Sequence, residues 1–496
     1  MFIGIDLGTS SVKAVVLDRG GEIRASATRA LSISNPYPRW SEQNPEEWWL
    51  ATQLAIEALL AAAGKQSLSA RDIAGIGLSG QMHGATLLDA SDKVLRPAIL
   101  WNDGRCDLEC AELEGVLGFR KITGNLAMPG FTAPKLLWVR NNEPRIFERT
   151  AKVLLPKDYL RLRLTGEYAT DLSDASGTLW LNVGKREWSD ALLTATSLTR
   201  THMPVLHEGN AVTGRLRAEL AQRWGMQQVP VAAGAGDNAA GAIGMGVVRP
   251  GQTMLSLGTS GVIFTVSRDY LARPEQAIHG FCHALPQTWH AMSVMLNAAS
   301  CLDFTAQLTG YADVPTLLTD AEAHVLQPEG PWFLPYLSGE RTPHNDPYAK
   351  GAFIGLNVKT RRADLANATL EGVALGMLDG LLALQRAGSE FNAISVIGGG
   401  ARSAYWMRML ADVLGKPLAI ASDGEMGPAL GAARLAHLAT EPSAVLADVC
   451  PNRNTGRHLL PDARRHAVFA EQRYPMFAQL YRNLRPLFRP AITSGQ

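Results

Sequence analysis

The sequence predicts an α/β fold made of two similar halves, and three observations support it. A short phrase occurs twice, as IGIDLGTSSVK at residues 3–13 and as LSLGTSG at residues 255–261. Runs typical of β-strands alternate with runs typical of helices in both halves, which is the pattern of α/β proteins. The length of 496 residues allows roughly two to four domains. Because internal repetition is the mark of a duplicated fold, we expect the second half to repeat the first.

The first half is predicted to begin with a β-meander. Apolar runs at 2–7 and 12–17 flank a turn rich in hydroxyl groups, and residues 18–21 (DRGG) form the next turn. A helix follows over 44–64, which opens with the capping sequence NPEE and closes on a glycine. Residues 73–80 (IAGIGLSG) then predict a buried strand that ends in a glycine-bounded turn.

The second half is predicted to follow the same plan. Residues 253–267 read as two strands around the second hydroxyl turn, and residues 363–388 read as a long helix. The strand-like stretch 393–403 resembles the strand at 73–80, and the glycine-rich stretch 426–436 opens another helix.

The boundary between the halves is predicted at residues 244–252 (GMGVVRPGQ), where Gly and Pro separate two periodic stretches. We therefore assign residues 1–246 to an N-terminal domain and residues 247–496 to a C-terminal domain. A mixed-charge helix is predicted at 462–488, and it could pack on either half.

Composition limits the classes of partner. Hydrophobic residues make up 46% of the chain and charged residues 19%, and the net charge is +1. Such a balance provides no global field for nucleic acid or membrane lipid. The N-terminal segment has no leader pattern, and no uninterrupted apolar run reaches the roughly 18–20 residues of a membrane span. We therefore expect a cytoplasmic protein with neither nucleic-acid nor membrane partners.

The cysteines are odd in number and scattered, which predicts reduced thiols that serve packing. They are Cys106, Cys110, Cys282, Cys301 and Cys450. A zinc site at the first two would need further ligands nearby, and the local sequence offers none.

The two hydroxyl turns are candidate phosphate sites. Glycine allows close approach of the backbone, so that N–H groups and hydroxyls can point at phosphate oxygens. Two such turns facing each other could hold a nucleoside triphosphate from both sides. The turn residues are Gly8, Thr9 and Ser10 in the first copy and Gly258, Thr259 and Ser260 in the second.

Asp6 is the acid that the second copy lacks. It closes an apolar β-type run, where a carboxylate is costly to bury without a partner. Beside a phosphate turn, that partner is naturally Mg²⁺, held directly or through its waters. The alternative is that Asp6 caps its own turn, but the second copy keeps its turn with Ser256 in the same place.

Asp237 and Asn238 lie in the stretch 229–244 (VPVAAGAGDNAAGAIG), in which Asp237 is the only acid. A carboxylate at a helix start stays ionised, and its small neighbours leave space for a ligand. Such a group suits a general base that takes a proton from an alcohol attacking phosphorus. The alternative is a simple helix cap.

Two further segments are candidates for binding hydroxyl groups. Gln81, Met82 and His83 follow a buried strand, at the kind of strand end where α/β folds bind ligands. Asn102 and Asp103 belong to the segment LWNDGRC, whose amide, acid and guanidinium could address several hydroxyls. The alternatives are a structural histidine and a surface turn with an internal ion pair.

A third glycine-rich turn is a candidate nucleoside site. Gly399, Gly400 and Ala401 follow a strand and open a helix, so their backbone could lie flat against a base or ribose. The turn matches neither a Walker loop nor a dinucleotide-binding fingerprint.

With these motifs in this order, the chain resembles the FGGY family of carbohydrate kinases in the actin-like ATPase superfamily. Residues 130–142 (GFTAPKLLWVRNN) match the family's signature. Essentially the whole chain is covered by further matching motifs, among them WSEQNPEEWW, GQMHGATLLD, RPAILWNDGR, LLPKDYLRLRLTGE, GAGDNAAGAIG, FLPYLSGERTPHNDP, IGGGARS and GPALGAARLA. The resemblance implies two RNase H-like domains with ATP and a sugar in the catalytic cleft between them.

The resemblance also implies roles for single residues. Asp237 is expected to be the catalytic base and Asp6 the Mg²⁺-linked acid. Phosphate and nucleoside contacts are expected at Gly8, Thr9, Ser10, Gly258, Thr259, Ser260, Gly399, Gly400 and Ala401. Sugar contacts are expected at Met82 and His83, with Gln81, Asn102, Asp103 and Asn238 as neighbours.

The pair Met82-His83 resembles the branch of the family that acts on D-xylulose, whereas glycerol kinases have Arg-Glu there. The expected reaction is transfer of the γ-phosphate of ATP, with Mg²⁺, to the 5-hydroxyl of D-xylulose. A homodimer is expected from the resemblance alone.

Rival functions are open at this stage. One is a kinase for another ketose or polyol, such as ribulose, gluconate or glycerol. From other classes come an ATP-driven binding protein of the chaperone type and a noncatalytic sugar sensor. The length leaves no room for an added peptide-binding domain, and the presence of both Asp6 and Asp237 argues against a sensor.

Overall fold

The computed structural model describes residues 1–324, 330–420, 427–452 and 458–489. In the first half the strands are β1 (Phe2–Leu7), β2 (Ser11–Leu17), β3 (Ile23–Ala30), β4 (Glu42–Gln43), β5 (Gly75–Gly80), β6 (Thr86–Leu88), β7 (Ala98–Ile99), β8 (Lys152–Leu154), β9 (Ala169–Asp171), β10 (Leu181–Asn182), β11 (Glu187–Trp188), β12 (Val205–His207), β13 (Val212–Arg215), β14 (Pro230–Ala232) and β15 (Ala235–Gly236). Its helices are α1 (Pro45–Gly64), α2 (Asp107–Glu114), α3 (Phe119–Thr123), α4 (Thr132–Asn142), α5 (Pro144–Arg149), α6 (Pro156–Thr165), α7 (Leu172–Ser176), α8 (Asp190–Ala195), α9 (Ala218–Trp224) and α10 (Asp237–Met245).

The second half has the same mixture of strands and helices. Its strands are β16 (Thr253–Leu257), β17 (Gly261–Ser267), β18 (His279–Cys282), β19 (Trp289–Met295), β20 (Trp332–Leu334), β21 (Ala352–Ile354), β22 (Ile394–Ile397), β23 (Leu418–Ile420) and β24 (His458–Leu459). Its helices are α11 (Ser300–Thr309), α12 (Val314–Ala323), α13 (Arg362–Arg386), α14 (Ala404–Leu414), α15 (Gly427–Thr440), α16 (Leu446–Val449), α17 (Ala463–Val468) and α18 (Tyr474–Phe488).

Each half is organised around one large sheet, and the two sheets share a plan. The first has the order β13-β14-β5-β1-β2-β3, with β15 also paired to β5. The second has the order β18-β19-β17-β16-β22-β23-β24. In the first, β1 is antiparallel to β2 and parallel to β5; in the second, β16 is antiparallel to β17 and parallel to β22. The α/β class and the predicted duplication are therefore confirmed.

Helix α1 shows how local sequence signals set an element. Asn44 Oδ1 accepts a hydrogen bond from the backbone N–H of Glu46 at 3.1 Å, and Pro45 occupies the first turn. The helix ends at Gly64, as the sequence predicts. Its inward face buries Trp48, and the apolar face thus fixes the helix against the meander.

Helices α10 and α15 cross in close backbone contact, which explains their Ala- and Gly-rich sequences. A Cβ on Gly431 would lie 1.8 Å from Ala240 O, and one on Gly77 of β5 would lie 1.8 Å from Ala432 O. Only glycine fits such positions. Helix α15 follows β23 of the second sheet in sequence, yet it packs on the first sheet and on α10, the helix that begins at Asp237. Met426, the first residue of the predicted glycine-rich stretch, lies outside the described residues.

The C-terminal helix α18 packs on the second half. Phe477 and Tyr481 are buried in the core formed by the second sheet and α13. The long helix α13 is also, by length and composition alone, apolar enough to cross a membrane, but 89% of its apolar window is buried inside the protein. It is the central core helix of this half. All five cysteines are free and buried, in agreement with a packing role.

Candidate active site

Asp237 is the first residue of α10 and follows directly on β15. Its Oδ1 accepts hydrogen bonds from the backbone N–H of Asn238 at 2.7 Å and from Asn238 Nδ2 at 3.0 Å, whereas Oδ2 has no hydrogen bond to a residue that the structure describes. Gly236 holds the capping position of the helix, so Asp237 is not a cap. Burial, and next the charge of Asp6, raise the pKa of Asp237 to about 7. A carboxylate with such a pKa is suited to general-base chemistry near neutral pH.

Asp6 lies on β1, between Ser79 of β5 and Lys13 of β2. Ser79 Oγ donates a hydrogen bond to Asp6 Oδ1 at 2.9 Å. The following turn is closed by the backbone N–H of Gly8, which donates to Ser11 O at 3.0 Å, so Asp6 does not cap it. Burial is the main cause that raises the pKa of Asp6 to about 6. Keeping this carboxylate ionised therefore costs free energy because it is buried, as the sequence indicates.

The register of three strands brings the two acids together. Asp6 on β1 is paired with Ser79 on β5, and Ser79 is in turn paired with Ala235 on β15. Asp237 comes two residues after Ala235 at the same end of the sheet. The proximity of these like charges contributes to the raised pKa of Asp237.

A cavity of about 280 Å³ lies between the two halves, with Asp237 in its wall. Its size suits a small ligand. The first half contributes Met82, His83, Trp101, Met128, Gly130, Phe131, Asp237 and Asn238 to the lining. The second half contributes Ser256, Ser260, Val262, His279, Phe281, Met292, Val294 and Arg341. The wall thus combines apolar side chains with a few polar groups, as in sites for small polar molecules.

His83 presents a hydrogen-bond acceptor to this cavity. Its Nδ1 lies 2.8 Å from Gly177 O, and a carbonyl can only accept, so Nδ1 carries the proton. Burial, together with the charge of Lys135, lowers the pKa of His83 to about 3, which keeps the ring neutral. Nε2 therefore offers its lone pair. The ring packs edge-on against Phe131 at a centroid distance of 4.7 Å, which fixes its orientation.

Lys135, in the segment that matches the family signature, is fully buried and supports His83 from behind. Its Nζ donates to His83 O and to Gly130 O, both at 2.8 Å. His83 has a φ of 71°, a left-handed backbone conformation that residues other than glycine seldom adopt. The lysine thus holds a strained backbone position from which the imidazole reaches the cavity.

Gln81 does not line the cavity but braces the first hydroxyl turn. Thr9 Oγ1 donates to Gln81 Oε1 at 3.1 Å, and Gln81 Nε2 donates to Gln43 Oε1 at 2.9 Å. Gln43 Nε2 in turn donates to Thr9 O at 2.7 Å. Trp101, which does line the cavity, donates from Nε1 to Thr9 Oγ1 at 2.9 Å. Cavity and turn are therefore joined by hydrogen bonds.

Asn102 and Asp103 lie away from the cavity, in contrast to the expectation for them. Asp103 is buried in an ion pair, because its carboxylate accepts from Arg105 Nη2 and from the backbone N–H of Ser41, each at 2.6 Å. Asn102 lines a separate surface groove beside residues 35–41. The internal ion pair, which was the alternative for this segment, is what the structure contains, and it leaves Asp103 no free acceptor for a sugar.

Both hydroxyl turns connect the two strands of a hairpin, and in both the glycine N–H closes the turn. Gly258 donates to Ser260 O at 3.0 Å, two residues on, whereas Gly8 donates to Ser11 O at 3.0 Å, three residues on. Ser256, which replaces the acid, and Ser260 line the cavity. Thr9, Ser10, Thr259 and Ser260 are exposed or partly exposed, and so are accessible to a ligand from either half. The Thr9 hydroxyl also donates to Gln81 and accepts from Trp101.

The third glycine turn lies beside the second hydroxyl turn, because β22 runs parallel to β16. A Cβ on Gly400 would lie 2.7 Å from Leu257 Cδ2, and one on Gly398 would lie 2.5 Å from Leu257 O. Gly399 has open space around its Cα, and Ala401 is partly exposed. This edge therefore offers bare backbone to a flat ligand.

Apart from Ser260, which was expected to contact phosphate, the second-half residues of the cavity wall had no role predicted from the sequence. Arg341 is the charged member, and its Nη1 lies 3.4 Å from His279 Nε2. Neither residue belongs to a local sequence pattern that would by itself indicate a binding role. The only available signal for Arg341 is its position inside the motif FLPYLSGERTPHNDP. A guanidinium with several N–H donors in the wall can bind oxygen atoms of a polar ligand.

The described residues contain no cluster of three or more metal-binding side chains. That suits Mg²⁺, which proteins usually hold by one or two carboxylates together with water and substrate phosphates. Asp6 fits this role, because it offers a buried carboxylate beside a hydroxyl turn.

A duplicated α/β fold with paired hydroxyl turns and an acid-lined cavity between its halves defines an enzyme of the actin-like ATPase class. The chain belongs to the FGGY family of carbohydrate kinases: the family's N-terminal domain matches residues 1–244 and its C-terminal domain matches residues 253–440. It is therefore a sugar kinase.

Individual relatives agree with this assignment. The chain is 56% identical over 488 residues to a xylulose kinase of Escherichia coli (strain K12), covering 98% of this chain and 100% of the relative. A crystal structure described as a xyloylose kinase from Brucella ovis superposes with a TM-score of 0.93 at 50% identity, covering 98% of this chain and 99% of that one. The xylulose kinase from Rhodospirillum rubrum gives a TM-score of 0.91 at 30% identity with the same coverage.

Proposed function

We propose that the protein phosphorylates D-xylulose at its 5-hydroxyl with ATP, giving D-xylulose 5-phosphate, and that Asp237 is the general base. The observation that carries the proposal is the position of Asp237 in the wall of the cavity, beside Met82 and His83. The names of the relatives supply the choice of sugar, since they are xylulose kinases over nearly the full length of this chain.

In the proposed reaction Asp237 Oδ2 accepts the proton of the sugar hydroxyl as the hydroxyl oxygen attacks the γ-phosphorus of ATP. The bond from the γ-phosphorus to the bridging oxygen breaks, and ADP leaves. Asn238 keeps Oδ1 engaged and so directs Oδ2 to the substrate. The lone pair of His83 Nε2 orients another hydroxyl group. Apolar side chains such as Phe131 and Phe281 keep water from the reacting atoms, which protects ATP from hydrolysis.

The phosphates are proposed to bind between the two hydroxyl turns, with Gly8, Thr9 and Ser10 on one side and Gly258, Thr259 and Ser260 on the other. The nucleoside is proposed to lie on Gly399, Gly400 and Ala401. The chemistry that Mg²⁺ supplies when bound at Asp6 is neutralisation of charge on the phosphates.

These roles divide between the halves: residues 1–246 form the sugar-binding domain and residues 247–496 the nucleotide-binding domain. The exposed turns and the cavity between the two sheets support the division. A cytoplasmic location and a homodimer remain predictions that follow from sequence and resemblance.

The test is a substrate panel with Asp237→Asn as the decisive variant. D-xylulose is expected to exceed ribulose, gluconate and glycerol in kcat/KM, measured by ADP release. Asp237→Asn is expected to lower kcat by roughly 10²–10⁴-fold, the usual size of a general-base effect. Asp412→Asn is the matched control, because Asp412 is also buried but accepts from the backbone N–H of Asp462, away from the cavity. Full activity of Asp237→Asn would refute the mechanism, and a different winning sugar would refute the substrate.

A further inference from the structure

A group of five charged side chains lies completely buried in the first half. Lys157 Nζ lies 2.7 Å from Asp158, 2.8 Å from Asp171 and 3.1 Å from Asp174, and Arg161 Nε lies 3.8 Å from Asp158. All five side chains are 0% exposed. We call this group the buried ion cluster. None of its members lines the cavity.

The buried ion cluster is costly for the fold. Two cations face three acids, and burial raises the pKa of Asp174 well above its usual range, so burial disfavours the charged form of this acid. Burial alone would lower the pKa of Lys157, but the carboxylates around it outweigh that effect and hold it raised. Replacing buried ion pairs by apolar residues is often neutral or stabilising. The cluster therefore calls for a role other than stability.

The cluster is bonded to the segment that leads to Asp237. Residues 232–236 read AAGAG, so this segment, although paired with β5, has no polar side chain of its own with which to fix its position. Arg161 supplies two anchors: Nη1 donates to Ala232 O at 2.9 Å, and Nη2 donates to Ala233 O. These contacts hold the start of the segment.

A second line of hydrogen bonds reaches the residue next to Asp237. The backbone N–H of Gly236 donates to Ser173 Oγ at 3.2 Å. The Ser173 hydroxyl in turn donates to Asp171 Oδ2, whose other oxygen, Oδ1, pairs with Lys157 at 2.8 Å. These contacts therefore link the buried ammonium of Lys157, through Asp171 and Ser173, to the backbone N–H of Gly236, the residue before Asp237.

We propose that the buried ion cluster and Ser173 position the carboxylate of Asp237 for proton transfer. This inference rests on the proposed role of Asp237 as the base. Ser173 and Arg161 are positioning residues, since they act through the backbone and touch no substrate. A displacement of about 1 Å at a reacting group can cost about 10²-fold in rate, so loosening the segment lowers the chemical step more than binding.

The test compares two deletions of a buried hydroxyl group. Ser173→Ala removes the anchor of Gly236, while Thr305→Val removes the buried hydrogen bond to Thr369 (2.8 Å) in the second half. Ser173→Ala is expected to lower kcat and the single-turnover rate by about tenfold. The KM values for sugar and ATP are expected to stay within about twofold, and Thr305→Val is expected to leave kcat unchanged.

The outcomes separate this inference from the proposed function. Asp237→Asn is assayed beside these variants, with the sugar selected by the substrate panel. If Asp237→Asn is inactive while Ser173→Ala keeps its kcat within about twofold, the positioning role is overturned and the base assignment stands. If Asp237→Asn is active, the base assignment itself fails.

Arg161→Lys provides a second measurement should Ser173→Ala fold poorly. Lysine keeps the charge, but its single nitrogen cannot occupy both positions from which Nη1 and Nη2 donate to the carbonyls of Ala232 and Ala233. A lower kcat at constant KM is expected, with the thermal midpoint measured in parallel. Unchanged kcat, or a rise in sugar KM alone, would overturn the role of this anchor.

Discussion

At the scale of single residues, the site contains two carboxylates that are buried away from solvent, Asp6 and Asp237. Burial raises the pKa of Asp237 and of Asp6, and the interaction between the two carboxylates raises that of Asp237 further. The N-terminus of α10 opposes this effect, since it favours a negative charge. The result is a carboxyl group at Asp237 that loses its proton near pH 7, as the proposed role of general base requires.

The first prediction concerns the pH dependence of the free enzyme. With a pKa of about 7, Asp237 gains a proton as the pH falls and can no longer accept one from the sugar. We expect kcat/KM for the sugar to fall at least about fivefold from pH 8 to pH 6. The measurement is kcat/KM at saturating ATP between pH 5.5 and 9, with circular dichroism as a control for unfolding. A flat profile down to pH 5.5 would contradict the raised pKa.

The second prediction concerns stability. Because the pKa of Asp237 is higher in the folded than in the unfolded chain, the folded state binds more protons between pH 4 and pH 7, and its stability falls as pH rises through that range. Asp237→Asn removes the charge. We expect the variant to melt at least about 2 °C above the wild type at pH 8, with a smaller difference at pH 5. Asp412→Asn, measured alongside, should show no such gain. A lower melting point of Asp237→Asn at pH 8 would contradict the argument.

At the scale of elements, the site depends on close backbone contacts among α10, α15 and the first sheet. The crossing of α10 and α15 on the first sheet leaves no space for side chains at Gly4, Gly77 and Gly431. This contact fixes the start of α10, and hence Asp237, relative to a helix from the second half of the chain.

The third prediction tests that contact. In Gly77→Ala the new Cβ would lie 1.8 Å from Ala432 O, which is backbone and cannot swing aside. We expect the melting point to fall by at least about 4 °C, as for overpacked cores in general. Gly64→Ala is the matched control, because a Cβ added there, at the end of α1, would have no other atom within 4 Å. Equal melting points for the two variants would show that α15 does not pack as tightly as described.

The elements also show what sequence can and cannot predict. The meander, the capped helix α1 and the repeated hairpin follow from signals within a few residues, so the sequence predicted them correctly. Gln81 and Asp103 were expected near the sugar, but their side chains are engaged by Gln43 and Arg105, and such pairings depend on tertiary packing. Arg341 lies between β20 and β21 and reaches the cavity wall through tertiary packing of the two halves, which no local pattern predicts.

At the scale of the whole molecule, both halves line the cavity, and in the proposed function sugar and ATP meet across the gap between them. One side chain links the two sites directly. Trp101 lines the cavity, and its indole N–H donates to Thr9 Oγ1 in the first hydroxyl turn. A sugar in contact with the indole would therefore favour the arrangement of Thr9 that this hydrogen bond selects.

The fourth prediction follows from this link. Trp101→Phe keeps an aromatic wall but loses the N–H donor, so the turn is no longer tied to the cavity. We expect the ratio of ADP released to sugar phosphate formed to rise from near one to at least about two, because ATP is then hydrolysed without the sugar. The size follows from the loss of a single hydrogen bond: about 1 kcal/mol changes a partition ratio several-fold. Trp188→Phe is the matched control, since its indole also donates one hydrogen bond, to Pro204 O at 3.0 Å, but lies outside the cavity. Both ratios are measured by coupled ADP release and direct quantification of the sugar phosphate. If Trp101→Phe keeps a ratio near one while its sugar KM rises, Trp101 serves binding alone, and the halves are coupled by other contacts.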